Sequence, residues 1–140
     1  MAASGPSFTI GIEEEYLLVD LETRDVASNP PEALFKACQK RIKGLVAHEF
    51  LKAQIEVNTE VSTSVADARK NLVDLRTTVA EVAEEYGLAP IAAATHPFSH
   101  WQEQDYTDLK RYKVIAMDLQ TVVRRLMTCG MHVHVGIDDD

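Results

Sequence analysis

Glu13 and Glu15, Glu56, and His132 and His134 are the residues whose types and spacing suit metal chemistry. Along a β-strand successive side chains alternate faces, so residues two apart point the same way, roughly 6–7 Å from one another. In Phe8-Thr-Ile-Gly-Ile-Glu-Glu-Glu-Tyr-Leu-Leu-Val19 this alternation sets Phe8, Ile10, Ile12, Tyr16 and Leu18 on one side with only Glu14 among them, and Gly11, Glu13 and Glu15 on the other. Two carboxylates that close repel unless a cation or a hydrogen-bond donor lies between them, and hard divalent ions take such oxygen ligands. A solvated outer face of an antiparallel sheet is the plainer reading of the same alternation.

Two further segments have the same form. In Glu49-Phe-Leu-Lys-Ala-Gln-Ile-Glu-Val-Asn-Thr-Glu60 the period is again two, with Ala53, Ile55 and Val57 on one face and Gln54, Glu56 and Asn58 on the other. In Met131-His-Val-His-Val135 the histidines share one face and Met131, Val133 and Val135 the other. An HxH strand by itself reads equally as a metal site or a satisfied polar face. If all three apolar sides pack on helices, however, the three polar sides form one surface of carboxylate and imidazole suited to divalent cations.

The elements that must position these strands follow from the remaining periodicity. A helix is expected over 31–43, with Pro31 in its first turn and an apolar stripe of Leu34, Phe35, Cys38, Ile42, Leu45 and Val46 that Gly44 would weaken or end. A second is expected from Val65 to Tyr86, opened by the Ser64-x-x-Asp67 cap and closed by Gly87, with Val65, Ala68, Leu72, Leu75, Val79, Val82 and Tyr86 inward. A third is expected over 108–127. Leu88–Ala94 reads as a short strand in which Pro90 demands the start or an edge position. The fold class is therefore α+β, an antiparallel or mixed sheet with helices on one face. Met1–Ser7 is expected to be a disordered leader, with residues 8–140 forming the domain.

Composition narrows the partners. A net charge of −8 and a pI near 5.1 argue against nucleic acid or an anionic membrane surface. Cys38 and Cys129 lack a CxxC spacing and read as reduced core thiols of a cytoplasmic protein. Neither GxxxxGK[ST] nor GxGxxG occurs, so a nucleotide would be held through metal ions and sheet residues. His96, His100 and Trp101 lie in a long connection that either lines a pocket or packs on its own aromatics. Arg124 and Arg125 read as helix C-terminal charges, and Arg111, at the start of the third helix, as a partner for a substrate carboxylate.

Gly11-Ile-Glu-Glu-Glu-Tyr16, Gln54-Ile-Glu-Val-Asn-Thr-Glu60, Thr95-His-Pro-Phe98 and Gly130-Met-His-Val-His-Val-Gly136 together resemble the N-terminal part of carboxylate-amine ligases of the glutamate–cysteine ligase type 2 family, whose catalytic sheet is similar to that of glutamine synthetase. The resemblance implies ATP-dependent joining of a carboxylate such as the γ-carboxylate of glutamate to an amine such as cysteine, through an acyl-phosphate and with Mg²⁺ or Mn²⁺. By match of motif Glu13, Glu15, Glu56 and His132 fall at metal-ligand positions, with His134 beside them; Arg111, which no motif covers, is assigned to catalysis from its place at the start of the third helix. Family members run to a few hundred residues, so this chain is expected to be an incomplete portion, inactive alone; a homodimer is compatible with the resemblance. A metal-dependent hydrolase or oxygenase built on the HxH strand, and a non-catalytic truncated module, are the alternatives.

Overall fold

The computed structural model describes residues 8–108 and 127–137. Five strands form one antiparallel sheet: β1 (Thr9–Asp20), β2 (Val46–His48), β3 (Gln54–Asn58), β4 (Leu88–Ile91) and β5 (Met131–Gly136). β1 is the long central strand. Its middle pairs with β3 along one edge, while along the other edge β5 pairs with its first half and β4 with its second. β2 extends the sheet beyond β3.

Helices α1 (Glu32–Arg41) and α2 (Val65–Glu84) lie on one face, as the apolar stripes predict. Tyr16, Leu18, Val46, Ile55, Val57 and Leu88 from the strands meet Leu34, Phe35 and Cys38 of α1 and Leu75, Val79, Val82 and Ala83 of α2 in one buried cluster. The Ser64 hydroxyl caps α2 by accepting from the Asp67 amide at 3.1 Å. α2 stops at Glu84, and Gly87 turns the chain into β4 at φ +71°. Its first residue, Val65, is exposed and takes no part in the predicted stripe.

Three features differ from the sequence expectation. α1 ends at Arg41; Gly44, at φ +75°, redirects the chain, and Val46 opens β2 instead of a further helical turn. Ala53 does not share a face with Ile55 and Val57. It precedes β3, in a turn, and belongs to a second cluster on the opposite face with Leu17, Val19, Val26, Phe50, Leu51 and Met127. Finally, Met131, Val133 and Val135 do point to the helix side, opposite Glu14, Ile12 and Ile10, but are 50–59% exposed. The cause is placement: α2 packs over β1 and β4, and α1 against α2, so neither described helix covers β5. The third expected helix, 108–127, lies outside the described part but for its two end residues.

Cys38 sits in the helix-side core with no exposure, and burial pushes its thiol up to about 11 against the pull of Arg41. A folded-state pKa above the unfolded value means that the unfolded chain ionises first. The stability involved is complete below pH 9 and lost between pH 9 and about 11, a total on the order of 3 kcal/mol. Urea unfolding from pH 8 to 11 should show this decline, and Cys38→Ala should lack that share of it.

Candidate functional site

On the face away from the helices, the first half of β1 carries the acidic residues. Glu13 is the cross-strand partner of His132, and its Oε2 lies 3.4 Å from His132 Nδ1 and 3.2 Å from His134 Nε2. One carboxylate thus serves both imidazoles. On the other side of β1, Glu15 is the direct partner of Glu56. Like charges so opposed in a sheet repel.

Each acid is held from behind. The Gly130 amide donates to Glu15 Oε2 at 3.0 Å, and the Glu15 amide donates to the Gly130 carbonyl at 3.1 Å. Asn58 Nδ2 donates to Glu56 Oε1 at 3.0 Å. A methyl group on Gly130 would stand 3.7 Å from His132 Nε2 and 3.8 Å from Glu15 Oε1, so the bare glycine faces both donors at once. His132 thus presents Nδ1 to Glu13 and sets Nε2 beside Gly130, whose amide holds Glu15.

Glu49, immediately after β2, completes the arrangement. One carboxylate oxygen from each of Glu15, Glu49 and Glu56 can be chosen so that all three lie within 4.8 Å of one another, and all three residues are partly buried. Metal–oxygen bonds of about 2.0–2.6 Å place opposite ligands about 4–5 Å apart, so the spacing fits a hard divalent ion. The ligand chemistry fits too: three clustered carboxylates with an acid–imidazole group alongside offer the oxygen donors that a hard cation takes. Burial pushes the Cys129 thiol up to about 11, with Glu15 adding to the rise and a hydrogen bond to Gln54 opposing it, so at neutral pH it stays protonated.

The structure thus brings Glu13, Glu15, Glu56, His132 and His134 to one face, with Glu13 joining the two histidines. Arg111 lies outside the described residues. Glu49 went unread in the sequence because it stands outside strand periodicity. His96 is a structural residue: it is buried, its Nδ1 accepts from the Ser99 amide at 3.0 Å, and its Nε2 therefore donates to the Arg24 carbonyl at 3.0 Å. Ser99 in turn accepts from the Val26 amide and donates to Asp25, so Thr95-His-Pro-Phe-Ser99 clamps the loop after β1. A cavity lined by Leu18, Leu34, Phe35, His48 and Lys52 is on the helix side, away from the carboxylates.

A relative from Rhodospirillum rubrum, named "Putative glutamate--cysteine ligase 2", is 54% identical over 138 residues, which are 96% of this chain and 36% of that protein. A relative of the same name from Jannaschia sp. is 53% identical over 137 residues, 98% of this chain and 36% of its own. The chain thus spans about a third of the length of these relatives. Among solved structures, a glutamate–cysteine ligase from Francisella tularensis in complex with AMP superposes with a TM-score of 0.74 at 16% identity, over 96% of this chain and 28% of that one. A bifunctional glutathione synthetase from Pasteurella multocida gives 0.70 at 14% identity, over 94% and 17%. These two likenesses establish the fold. The profile of glutamate-cysteine ligase family 2 matches residues 9–140, almost the whole chain, and the chain belongs to that family.

Proposed function

We propose that this chain supplies the metal-binding sheet of an ATP-dependent carboxylate-amine ligase of the glutamate–cysteine type. The observation that carries the reading is the convergence of Glu13, Glu15, Glu56 and His132 on one sheet face in a member of a ligase family. In the reaction, an oxygen of the γ-carboxylate of glutamate attacks the γ-phosphorus of ATP and ADP leaves. The amine nitrogen of cysteine then attacks the acyl carbon, phosphate leaves, and the amide remains. Phosphoryl transfer of this kind needs positioning and neutralisation of the phosphate charges more than covalent help from the protein. An acidic sheet face meets that need only with Mg²⁺ or Mn²⁺ bound, and the ions would supply the neutralisation. Glu15, Glu49 and Glu56 would hold one such ion. Glu13 and His132, with His134 beside them, would serve a neighbouring position. The nucleotide complex of the Francisella tularensis ligase supports ATP as the phosphoryl donor.

The net charge of −8 supports small-molecule substrates over nucleic acid, and no helix among the described residues is long and apolar enough to cross a membrane. A hydrolase or oxygenase centred on the HxH strand would need one carboxylate and an open metal position. Three clustered carboxylates in addition to Glu13 favour the ligase.

Melting curves of the chain with Mn²⁺, and with Mn²⁺ plus a non-hydrolysable ATP analogue, test the reading. Stabilisation by the metal, increased by the nucleotide only when metal is present, is the expected result. Nucleotide protection that is indifferent to the metal would overturn it. Glutamate-dependent ADP release should be absent from this segment alone, which spans 36% of its relatives' length; robust turnover would refute that division of labour.

A further inference from the structure

The middle glutamate of the Glu13-Glu14-Glu15 run points the other way, into the helix-side core, where its side chain is 3% exposed. Both of its oxygens are taken. Arg76 of α2 donates from Nε to Glu14 Oε2 at 2.7 Å and from Nη2 to Oε1, and the buried Tyr16 hydroxyl donates to Oε2 as well. Partnership with Glu14 raises the Arg76 guanidinium above its ordinary value, so the cation persists at every working pH.

The sequence of β1 makes this grip informative. Strand register is ordinarily fixed by the apolar pattern, since a slip of one residue turns every side chain to the opposite face. In β1 that pattern is weak from Glu13 onward, and Ile10 and Ile12 before it are only partly buried. Tyr16, Leu17, Leu18 and Val19 are all buried, two on each face, so the apolar half of the strand would fit either way round. The acidic half, three consecutive glutamates, is equally indifferent. What distinguishes the two faces is a guanidinium on one of them. In the observed register it meets one carboxylate, whereas after a one-residue slip two carboxylates would enter the core to share a single cation, and Glu14 alone would face Glu56.

From this we infer that the Arg76–Glu14 pair is the register lock of β1, and that Arg76 and Glu14 are positioning residues for the metal face although both lie on the other side of the sheet. The inference rests on the ligase reading only for its consequence, metal affinity. Register itself can be measured without metal.

The test combines cross-strand NOEs from NMR of the metal-free chain with Mn²⁺ affinity from EPR. The wild type should give a single set of contacts pairing Glu15 with Glu56 and Glu13 with His132. Arg76→Leu should add a second set with Glu14 opposite Glu56 and weaken Mn²⁺ binding by roughly tenfold or more, as loss of an outer-shell support does elsewhere. Glu14→Leu/Arg76→Leu, which restores an apolar residue to the core face, should return both the single register and the wild-type affinity. A single wild-type register in Arg76→Leu would overturn the proposal. If that variant does not fold, Arg76→Gln takes its place, removing the charge while keeping a polar side chain; two registers there support the lock and one refutes it. Should the wild type bind no Mn²⁺, the metal reading falls while the NOE pattern still decides the lock.

Discussion

Adding Mn²⁺ at about one hundred times its dissociation constant should stabilise the wild-type chain by about 2.7 kcal/mol, a rise of roughly 10 °C in melting temperature for a chain of this size. Glu15→Gln should lose most of that rise. Glu15 lies directly across from Glu56 and close to Glu49, so in the metal-free chain it contributes repulsion and in the metal-loaded chain a ligand. The substitution therefore acts in opposite directions on the two states. Without metal, Gln still accepts the Gly130 amide hydrogen bond and removes the charge facing Glu56, so stability should rise by about 0.2–1 kcal/mol. With metal, one oxygen ligand is replaced by a neutral carbonyl and the stabilisation collapses. Glu60→Gln, at an exposed acid after the end of β3, is the control and should keep the full metal-induced rise. Equal metal stabilisation in wild type and Glu15→Gln would show that the ion sits elsewhere.

Most of this face was legible in the sequence because strand alternation is a local rule. Within β1, β3 and β5 it sorts Glu13 and Glu15, Glu56, and His132 and His134 from their apolar neighbours without knowledge of the partner strand. What alternation does not supply is the cover on each face. Met131, Val133 and Val135 point as expected, yet no described helix reaches them, because helix placement depends on contacts far along the chain. The same limit hid β2. Ile42, Leu45 and Val46 continue the helical spacing of α1, and the left-handed turn at Gly44 interrupts the helix after only two more residues of ambiguous pattern. Ile42 and Leu45 still pack against the helix-side cluster, so the spacing reported burial correctly and secondary structure incorrectly. Glu49 was invisible for a related reason: it is brought to Glu15 and Glu56 by the pairing of β2 with β3, a tertiary event. Glu14 could be seen as an acid on an apolar face, but its partner is 62 residues away on a helix surface.

Arg76→Ala should be among the most damaging single substitutions on the chain, costing about 3–5 kcal/mol, because it strands a buried carboxylate. The arginine itself is nearly half exposed, which by ordinary reckoning marks a position of little consequence. Its weight comes from the other end of the pair. Glu14 has almost no access to water, and with the guanidinium gone only the Tyr16 hydroxyl, among the described residues, remains to compensate its charge. Tyr16→Phe, by contrast, leaves the two-point arginine contact in place and should cost about 1.5–3 kcal/mol, the scale of one hydrogen bond to a charged group. The buried pair is not thereby a net source of stability. Desolvation of both ions offsets much of their attraction, so Glu14→Leu/Arg76→Leu should unfold at a urea concentration equal to or above that of the wild type. A thermodynamic cycle over the four proteins separates these contributions: strong coupling between positions 14 and 76 is expected, with both single losses severe and the double loss mild. If Arg76→Ala falls within about 1 kcal/mol of wild type, Glu14 has found another partner or reached solvent, and the pair is then a surface contact of the ordinary, weak kind.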